Sequence, residues 1–226
     1  MAGRPQKRTE QTRTAILAAA RAAFDAEGFD GTSVEAIAAR AGVAKATVFA
    51  HFADKASLLI AVRIDALHAQ MAAMRAAVAA GPPVDGGPDR DAMRAHAFLF
   101  ALFRPWLALY RTDPEFTRLF LSQATLKDGP WTRQFLEICG AMEADTQAAF
   151  ARLQAERLIP PDPDPALLAQ GVLAFFYHML VGQTVGACED PETQDAFFAD
   201  LLAVWLRGVC TPPPLPGGDA APPAAR

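Results

Sequence analysis

Residues 32–55 have the sequence TSVEAIAARAGVAKATVFAHFADK, which predicts two short helices joined by a glycine turn. Thr32 and Glu35 have the spacing of a capping box, in which the hydroxyl and the carboxylate each bond a backbone N–H that is free at a helix start. The first helix then carries one apolar stripe at i, i+3, i+4 and i+7, formed by Val34, Ile37, Ala38 and Ala41. Gly42 ends this helix, because glycine readily takes the left-handed conformation that turns the chain.

A second short helix is predicted from Lys45 to His51, with Lys45 and Thr47 directed outward and Val48 and Phe52 directed inward. Two such helices joined by a tight turn with glycine form a helix-turn-helix, whose second helix fits the major groove of DNA. An ordinary helical hairpin in an all-α domain has the same local pattern. The motif alone therefore leaves both interpretations open.

The composition favours an all-α protein with its positive charge near the N-terminus. No sustained alternation of apolar and polar residues predicts strands, and 226 residues are enough for one or two domains. The net charge is −4, but residues 1–63 hold nine Lys/Arg against six Asp/Glu, which leaves −7 for residues 64–226. A basic segment that coincides with the helix-turn-helix is the charge distribution that DNA binding requires.

Proline and glycine clusters divide the chain into about nine predicted helices. We expect an N-terminal three-helix domain with a basic arm over residues 1–54, a larger helical domain over residues 55–210, and a disordered, proline-rich tail over residues 211–226. The first helix is predicted to begin at Thr12, after the arm. Pro105 lies inside the fifth helix and is expected to kink or split it, because proline removes a backbone hydrogen bond.

The eighth predicted helix, residues 166–188, contains no Asp, Glu, Lys or Arg and is long enough to cross a membrane. Scattered polar side chains and acidic flanks without a basic anchor argue against a membrane span. In a soluble protein, a helix that is apolar all round is buried on every side. Gly171, Gly182 and Gly186 would let another helix approach closely, either from a second subunit or within the core of a monomer.

Residues 12–62 resemble the DNA-binding domain of the TetR/AcrR family of transcriptional regulators. The resemblance rests on Phe24, Gly28-Phe29, Thr32-Ser33-Val34, Ile37-Ala38, Ala41-Gly42-Val43 and Phe49-x-x-Phe52-x-x-Lys55. Two positions depart from the family pattern. Ala44 replaces a capping serine, a loss that costs about 0.5–2 kcal/mol of helix stability. Phe49 replaces a tyrosine whose hydroxyl reaches a phosphate.

The resemblance implies a homodimer that binds a pseudo-palindromic, double-stranded DNA operator with two recognition helices in successive major grooves. It implies that residues 55–210 bind a ligand and dimerise through helices 8 and 9, and that a small-molecule effector displaces helix 4. The DNA contacts expected from it are Ser33, Lys45, Thr47, Phe49, His51, Lys55, Arg4, Lys7 and Arg8. Lys55 lies at the helix end that disfavours a positive charge, so we attribute its presence to a phosphate contact.

Aromatic residues in helices 5 to 8 predict a small apolar or aromatic effector, although aromatic stripes at helical spacing more often fill a core. The predicted ligand contacts are Phe103, Trp106, Tyr110, Phe120, Trp131, Phe135, Phe176, Tyr177 and His178.

Nothing in the sequence indicates catalysis, a metal site or a cofactor. A Ser/His/Asp arrangement, an HExxH motif and a glycine-rich phosphate loop are all missing, and the three cysteines form no CxxC pair. The N-terminus lacks the apolar region of a signal peptide, so we expect a cytoplasmic protein without a membrane contact. We therefore predict a repressor that an effector releases from its operator. The alternatives are a helix-turn-helix activator, an effector-independent DNA-binding protein and, less favoured, a helical enzyme with an incidental N-terminal hairpin.

Overall fold

The computed structural model describes residues 4–83, 91–125, 131–186 and 190–210, which form nine α-helices and no strand. The helices are α1 Arg4–Gly31, α2 Val34–Ala41, α3 Lys45–His51, α4 Lys55–Ala80, α5 Asp91–Thr112, α6 Pro114–Leu121, α7 Thr132–Ala155, α8 Pro165–Thr184 and α9 Pro191–Cys210. A short 3₁₀ turn, Ser122–Thr125, follows α6. The predicted all-α class is confirmed, and the predicted tail from residue 211 lies outside the described residues.

The N-terminal basic segment is helical from Arg4 onward, so the predicted separate arm and the predicted helix start at Thr12 are wrong. Pro5 is compatible with a first helical turn, and the Lys, Arg, Gln and Glu residues that follow are good helix formers. Gly28 interrupts α1 with a φ of 70°, a conformation that glycine adopts readily because it has no Cβ.

The first three helices share one small core, and the predicted apolar stripes supply it. Its buried side chains come from α1, α2, α3 and the residue that follows α3: Ile16, Ala20, Ala23, Phe24, Ile37, Ala38, Val48 and Phe52. Gly42 has the predicted left-handed conformation, with a φ of 67°. The inward and outward faces of the predicted helix-turn-helix are therefore confirmed.

The N-cap of α2 is Ser33 and not Thr32. The Ser33 hydroxyl accepts a hydrogen bond from the Ala36 N–H at 3.1 Å, which satisfies a donor that the helix leaves free. Thr32 is buried, and its hydroxyl donates to the Gly28 carbonyl at 2.7 Å. The predicted capping box was wrong because the Thr32 hydroxyl bonds a carbonyl near the end of α1, and Thr32 lies one residue before the N-cap of α2.

Helices α4 to α9 form the larger helical domain, in which α7 lies along α8 and α5 lies along α9. Helix α5 runs unbroken from Asp91 to Thr112, so the predicted split at Pro105 is wrong. Ala101 and Pro105 both lie on the exposed side of α5, where solvent can satisfy the carbonyl that proline leaves unpaired. The opposite side of α5 is buried and holds the helix in place.

Helix α8 packs against α7 and α9 along one side and is exposed along the other. Gly171 allows the approach of α9 from the same chain, because a Cβ there would lie 2.8 Å from Trp205 Cζ2. Helices α4 and α8 are both long and apolar enough to cross a membrane, a property that core helices of soluble proteins share. Within one chain α8 is therefore buried along one side only, and the burial of its other side by a second subunit stays a prediction.

Candidate nucleic-acid interface and its junction with the helical domain

Helix α3 presents a mixed apolar and basic surface to the solvent. Val48 is buried against the core, whereas Lys45 and Ala50 are exposed and Phe49 is 44% exposed. Thr47 and His51 are half-buried at the edges of this surface. A short helix anchored on one side and bare on the other has the form of a recognition helix that enters a major groove.

Lys45, a predicted DNA contact, interacts with two other side chains of the helix-turn-helix. Its ammonium forms an ion pair with the Glu35 carboxylate of α2 and lies 5.6 Å from the centroid of the Phe49 ring. The hydrogen bond from Lys45 lowers the pKa of Glu35 below its ordinary value. Both side chains are exposed, so the other two N–H donors of the Lys45 ammonium can still contact a phosphate.

Lys55 bonds within the protein, at the point where α4 begins. Its Nζ donates to the Phe29 carbonyl at 2.7 Å and to the Thr32 carbonyl at 3.0 Å, and it lies 4.1 Å from the centroid of the Phe29 ring. These acceptors stabilise a positive charge at the unfavourable end of α4. The argument that a phosphate must explain Lys55 was therefore wrong, while a DNA contact from its remaining N–H stays a prediction.

The other predicted DNA contacts lie around the helix-turn-helix. The Ser33 side chain caps α2 at the protein surface, and Ala44 is the N-cap of α3 without a side-chain hydrogen bond, as predicted. Lys7 and Arg8 are exposed near the start of α1, and the side chain of Arg4 lies outside the described part of the chain. Their contacts with DNA stay predictions.

A bridge of three charged side chains joins the first domain to the second. Arg63 of α4 donates from Nη1 to Asp25 of α1 at 2.8 Å and from Nε to Asp113 at 2.9 Å. Burial opposes the charged form of Arg63, but the hydrogen bonds that it donates to both carboxylates raise its pKa above the ordinary value. Asp113 is also the N-cap of α6, where its carboxylate accepts from the Phe116 N–H at 2.9 Å.

A cavity of about 550 Å³ adjoins this bridge. Its wall is formed by α1, by α4 and by the turn from α5 to α6, and it combines apolar with acidic side chains: Phe24, Phe29, Leu67, Leu109, Phe116, Asp25, Asp113 and Glu115. Its volume lies in the range of small-molecule sites. Sequence reasoning missed both the bridge and the cavity, although an arginine within the apolar first half of α4 was a usable signal.

Residues 16–62 match the family of bacterial regulatory proteins called the tetR family. This part of the chain is the DNA-binding domain of the TetR family of transcriptional regulators. The matched residues contain the core of the first domain, the whole helix-turn-helix and the start of α4, so the resemblance proposed from sequence is confirmed. Because this family consists of transcriptional regulators, the prediction of a regulator and not an enzyme is confirmed as well.

Solved structures share the fold over nearly the whole chain at low sequence identity. A TetR-family transcriptional regulator from Pectobacterium atrosepticum is 21% identical, with a TM-score of 0.63, and the match covers 94% of this chain and 100% of that one. FadR from Bacillus subtilis, in complex with stearoyl-CoA, is 16% identical, with a TM-score of 0.59 and coverages of 87% and 99%. GusR from Salmonella enterica is 22% identical, with a TM-score of 0.55 and coverages of 88% and 95%. Comparison with curated proteins gives no match.

Most aromatic residues predicted to bind a ligand in this TetR-family regulator fill its core. Phe103, Trp106, Phe120 and Phe176 are at most 1% exposed. The ring centroids of Phe103 and Phe176 are 5.4 Å apart, and those of Phe120 and Phe135 are 5.2 Å apart. None of these five side chains lines the cavity of about 550 Å³ beside the Arg63 bridge, which we call the junction cavity. Their spacing predicted burial correctly, whereas their contact with a ligand stays untested.

The remaining predicted ligand residues have separate environments. Tyr110 lines a second cavity of about 350 Å³ between α5, α6 and the end of α8. Burial, together with the neighbouring Cys139 thiol, raises the pKa of Tyr177 above its ordinary value. Trp131 is half-buried at the start of α7, with its indole N–H buried and unpaired. His178 is exposed on the outer side of α8, away from the helical core.

The outer side of α8 forms a stripe that the regulator leaves uncovered within one chain. Its members are exposed and lie three, four or seven residues apart, on one face of the helix: Leu167, Ala174, His178, Val181 and Val185. Leu167, Val181 and Val185 are 70%, 55% and 72% exposed, and α9 adds Phe197 and Val204, at 49% and 60% exposed. His178 lies on this stripe and away from the core, and its contact with an effector stays a prediction.

Proposed function

We propose that this regulator is a dimeric repressor that binds a pseudo-palindromic operator and is released by a small apolar or aromatic effector. It acts on double-stranded DNA in the cytoplasm, without a membrane contact. The observation that carries the proposal is the Arg63 bridge, because it connects the surface that faces DNA with the domain that holds cavities.

The exposed side of α3 and the charge of the N-terminal segment support DNA binding. Residues 1–63 carry a net charge of +3 in a chain whose total is −4. Positive charge near the recognition helix attracts the phosphate backbone and gives an affinity that falls as salt rises. Base contacts then come from the side chains that α3 turns to the groove.

The outer stripe of α8, together with exposed apolar residues of α9, supports a homodimer. Large, contiguous apolar patches on soluble proteins mark surfaces that bind a partner. A twofold axis through this stripe would pair it with the same stripe of a second subunit, as in most homodimers. Pairing α8 and α9 with their symmetry mates would bury Val181, Val185 and Val204, which one chain leaves exposed.

The Arg63 bridge supports control of DNA binding from the helical domain. Asp113 caps α6, so a ligand that shifts the first turn of α6 also moves the carboxylate that holds Arg63. Arg63 in turn holds Asp25 on α1, within the DNA-binding domain. An effector that binds the shifted arrangement more tightly would change the population of the operator-binding form.

The junction cavity supports an effector with an apolar body. Phe24, Phe29, Leu109 and Phe116 make most of its wall apolar, and the nearby carboxylates disfavour a polyanion. Stearoyl-CoA is the compound in the Bacillus subtilis FadR complex. Acyl-CoA therefore belongs in a first panel of compounds, as one with an apolar chain and an anionic end.

The test is a titration of a labelled operator, first selected from fragments of the source genome, against aromatic, acyl and polyanionic compounds. We expect an apolar compound to release the wild-type protein. Arg63→Met should keep operator affinity within about threefold and lose most of the response to that compound, because a coupling of 1–3 kcal/mol corresponds to about 5–150-fold.

Arg75→Met is the matched control, since Arg75 lies on the same helix and pairs with Asp145 of α7, within the helical domain. It should respond as the wild type does. An Arg63→Met protein that is released as readily as the wild type would remove the bridge from the mechanism. Release by polyanions and by no apolar compound would overturn the effector class.

A further inference from the structure

The recognition helix carries almost no group that could read a base edge by paired hydrogen bonds. Residues 45–51 have the sequence KATVFAH, without Arg, Asn, Gln, Asp or Glu. Those five residue types make the paired or accepting contacts that distinguish guanine, adenine and cytosine in the major groove. Lys45, the strongest donor of the helix, is engaged by Glu35. Thr47 and His51 are half-buried at its edges.

The exposed side of α3 instead carries an apolar patch of three residues. Ala46, Phe49 and Ala50 are at positions i, i+3 and i+4, which places them on one face of the helix. All three are exposed, and Phe49 is 44% exposed. Val48 is buried in the domain core and fixes which side of α3 faces outward.

The Phe49 ring has a defined place on this patch. The Lys45 ammonium lies 5.6 Å from its centroid, and the same ammonium is paired with Glu35 on α2. Lys45 thus compensates the charge of Glu35 and borders the aromatic ring on one side. The rest of the ring and the two alanine methyl groups remain free to contact an apolar partner.

Base pairs offer one apolar group in the major groove, the C5-methyl group of thymine, and Ala, Thr and Phe side chains are suited to contact it. Pressing an aromatic ring against polar base edges would desolvate them without a hydrogen bond, which is unfavourable. We infer that this regulator recognises its operator half-site mainly through thymine methyl groups, which contact Ala46, Phe49 and Ala50. This inference rests on the proposed binding of an operator by α3.

The experiment replaces single thymines of the genome-selected operator by deoxyuridine, which keeps every hydrogen-bonding group and lacks only the methyl group. For each thymine that faces the patch, affinity should fall about threefold to fivefold, the value expected for one buried methyl group. Uridine in the spacer or in the flanking duplex is the control and should leave affinity unchanged.

Phe49→Ala then assigns the contact. The variant should fold, because alanine favours an exposed helical position, and circular dichroism checks this. For the thymine next to Phe49, the ratio of thymine to uridine affinity should fall to one, while the thymines next to the alanines keep their ratios. An operator that binds equally well with uridine at every position overturns this inference and leaves the proposed repressor intact. Failure to select any operator would instead overturn the proposed function.

Discussion

The DNA-binding domain and the helical domain use their apolar side chains in different ways. In α3, Val48 builds the core while Phe49, one residue later, faces solvent, so folding and recognition occupy opposite sides of one helix. In the helical domain, Phe103 and Phe120 are completely buried, and the junction cavity lies beyond them at the edge of the domain. In α3, helical periodicity distinguishes the residue that packs in the core from the residue that faces solvent. In the larger helical domain, the same periodicity indicates burial, but it does not distinguish a side chain that fills the core from one that contacts a ligand.

The two regions meet through charged side chains and not through their apolar cores alone. Lys55 fastens the start of α4 to the turn between α1 and α2, and Arg63 joins α1 to the cap of α6. The substitutions below test whether these regions have the separate tasks that their packing indicates.

The largest expected effect concerns the buried aromatic residues. Phe120→Ala should lower the free energy of unfolding by about 3–5 kcal/mol, because it leaves a cavity among Phe116 and Phe135. Chemical denaturation measures this change in the free energy of unfolding. Leu109→Ala, at a half-buried position on the wall of the junction cavity, should lower the free energy of unfolding by less. A stable Phe120→Ala protein that has lost only its effector response would place the ligand among these rings.

The next effect concerns the outer stripe of α8. Val181→Asp places a charge in the stripe that would pair with the same stripe of a second subunit, so we expect monomers in sedimentation and operator affinity at least about 100-fold lower. Leu136→Asp, at an exposed apolar position of α7, is the control and should remain a dimer. Gly186 is a poorer test site, because its φ of 69° would strain any larger residue. Wild-type protein that sediments as a monomer at micromolar concentration would contradict the dimer.

Lys45 and Lys55 were both predicted to contact DNA, but their substitution should have different effects. Lys55→Met should lower the free energy of unfolding by about 1–3 kcal/mol, because two carbonyls lose a charged donor. Lys45→Met should leave stability nearly unchanged and reduce the slope of log affinity against log salt by about one unit. Thermal unfolding and a salt titration separate the two. Equal salt slopes in Lys45→Met and wild type would remove Lys45 from the phosphate contacts.

The smallest effect concerns the uncapped start of α3. Ala44 already has the extended backbone of an N-cap, with φ −72° and ψ 149°, so Ala44→Ser should stabilise the domain by about 0.5–2 kcal/mol. Ala46→Ser is the control, since a serine inside the helix gains no cap. If both variants have the same melting temperature, the missing cap does not limit the stability of α3.

The features that were predicted correctly from the sequence depend on residues that are close together in the chain. Gly42 and the apolar stripe of α2 are local signals, and the structure has them as expected. The cap was misplaced by one position because Thr32 and Ser33 both carry hydroxyls, and only the fold determines which carbonyl or N–H each can reach.

The junction could not be predicted, because it depends on contacts between distant parts of the chain. Arg63 is 38 positions from Asp25 and 50 positions from Asp113, and the three side chains come together only when α1, α4 and α6 pack. Lys55 illustrates the same limit, since the carbonyls that hold it belong to another turn. Periodicity indicates which residues are buried, whereas the partners of a buried charge are a property of the folded chain.

The most direct measurement is a hydroxyl-radical footprint of the full-length protein on a fragment selected from the source genome. A dimer with two copies of α3 in successive major grooves should protect two pseudo-palindromic half-sites on one face of the duplex. Their centres should lie about 10 base pairs apart, or a whole multiple of that spacing. Protection of a single half-site, or continuous protection without a twofold pattern, would contradict the proposed dimeric operator-binding protein.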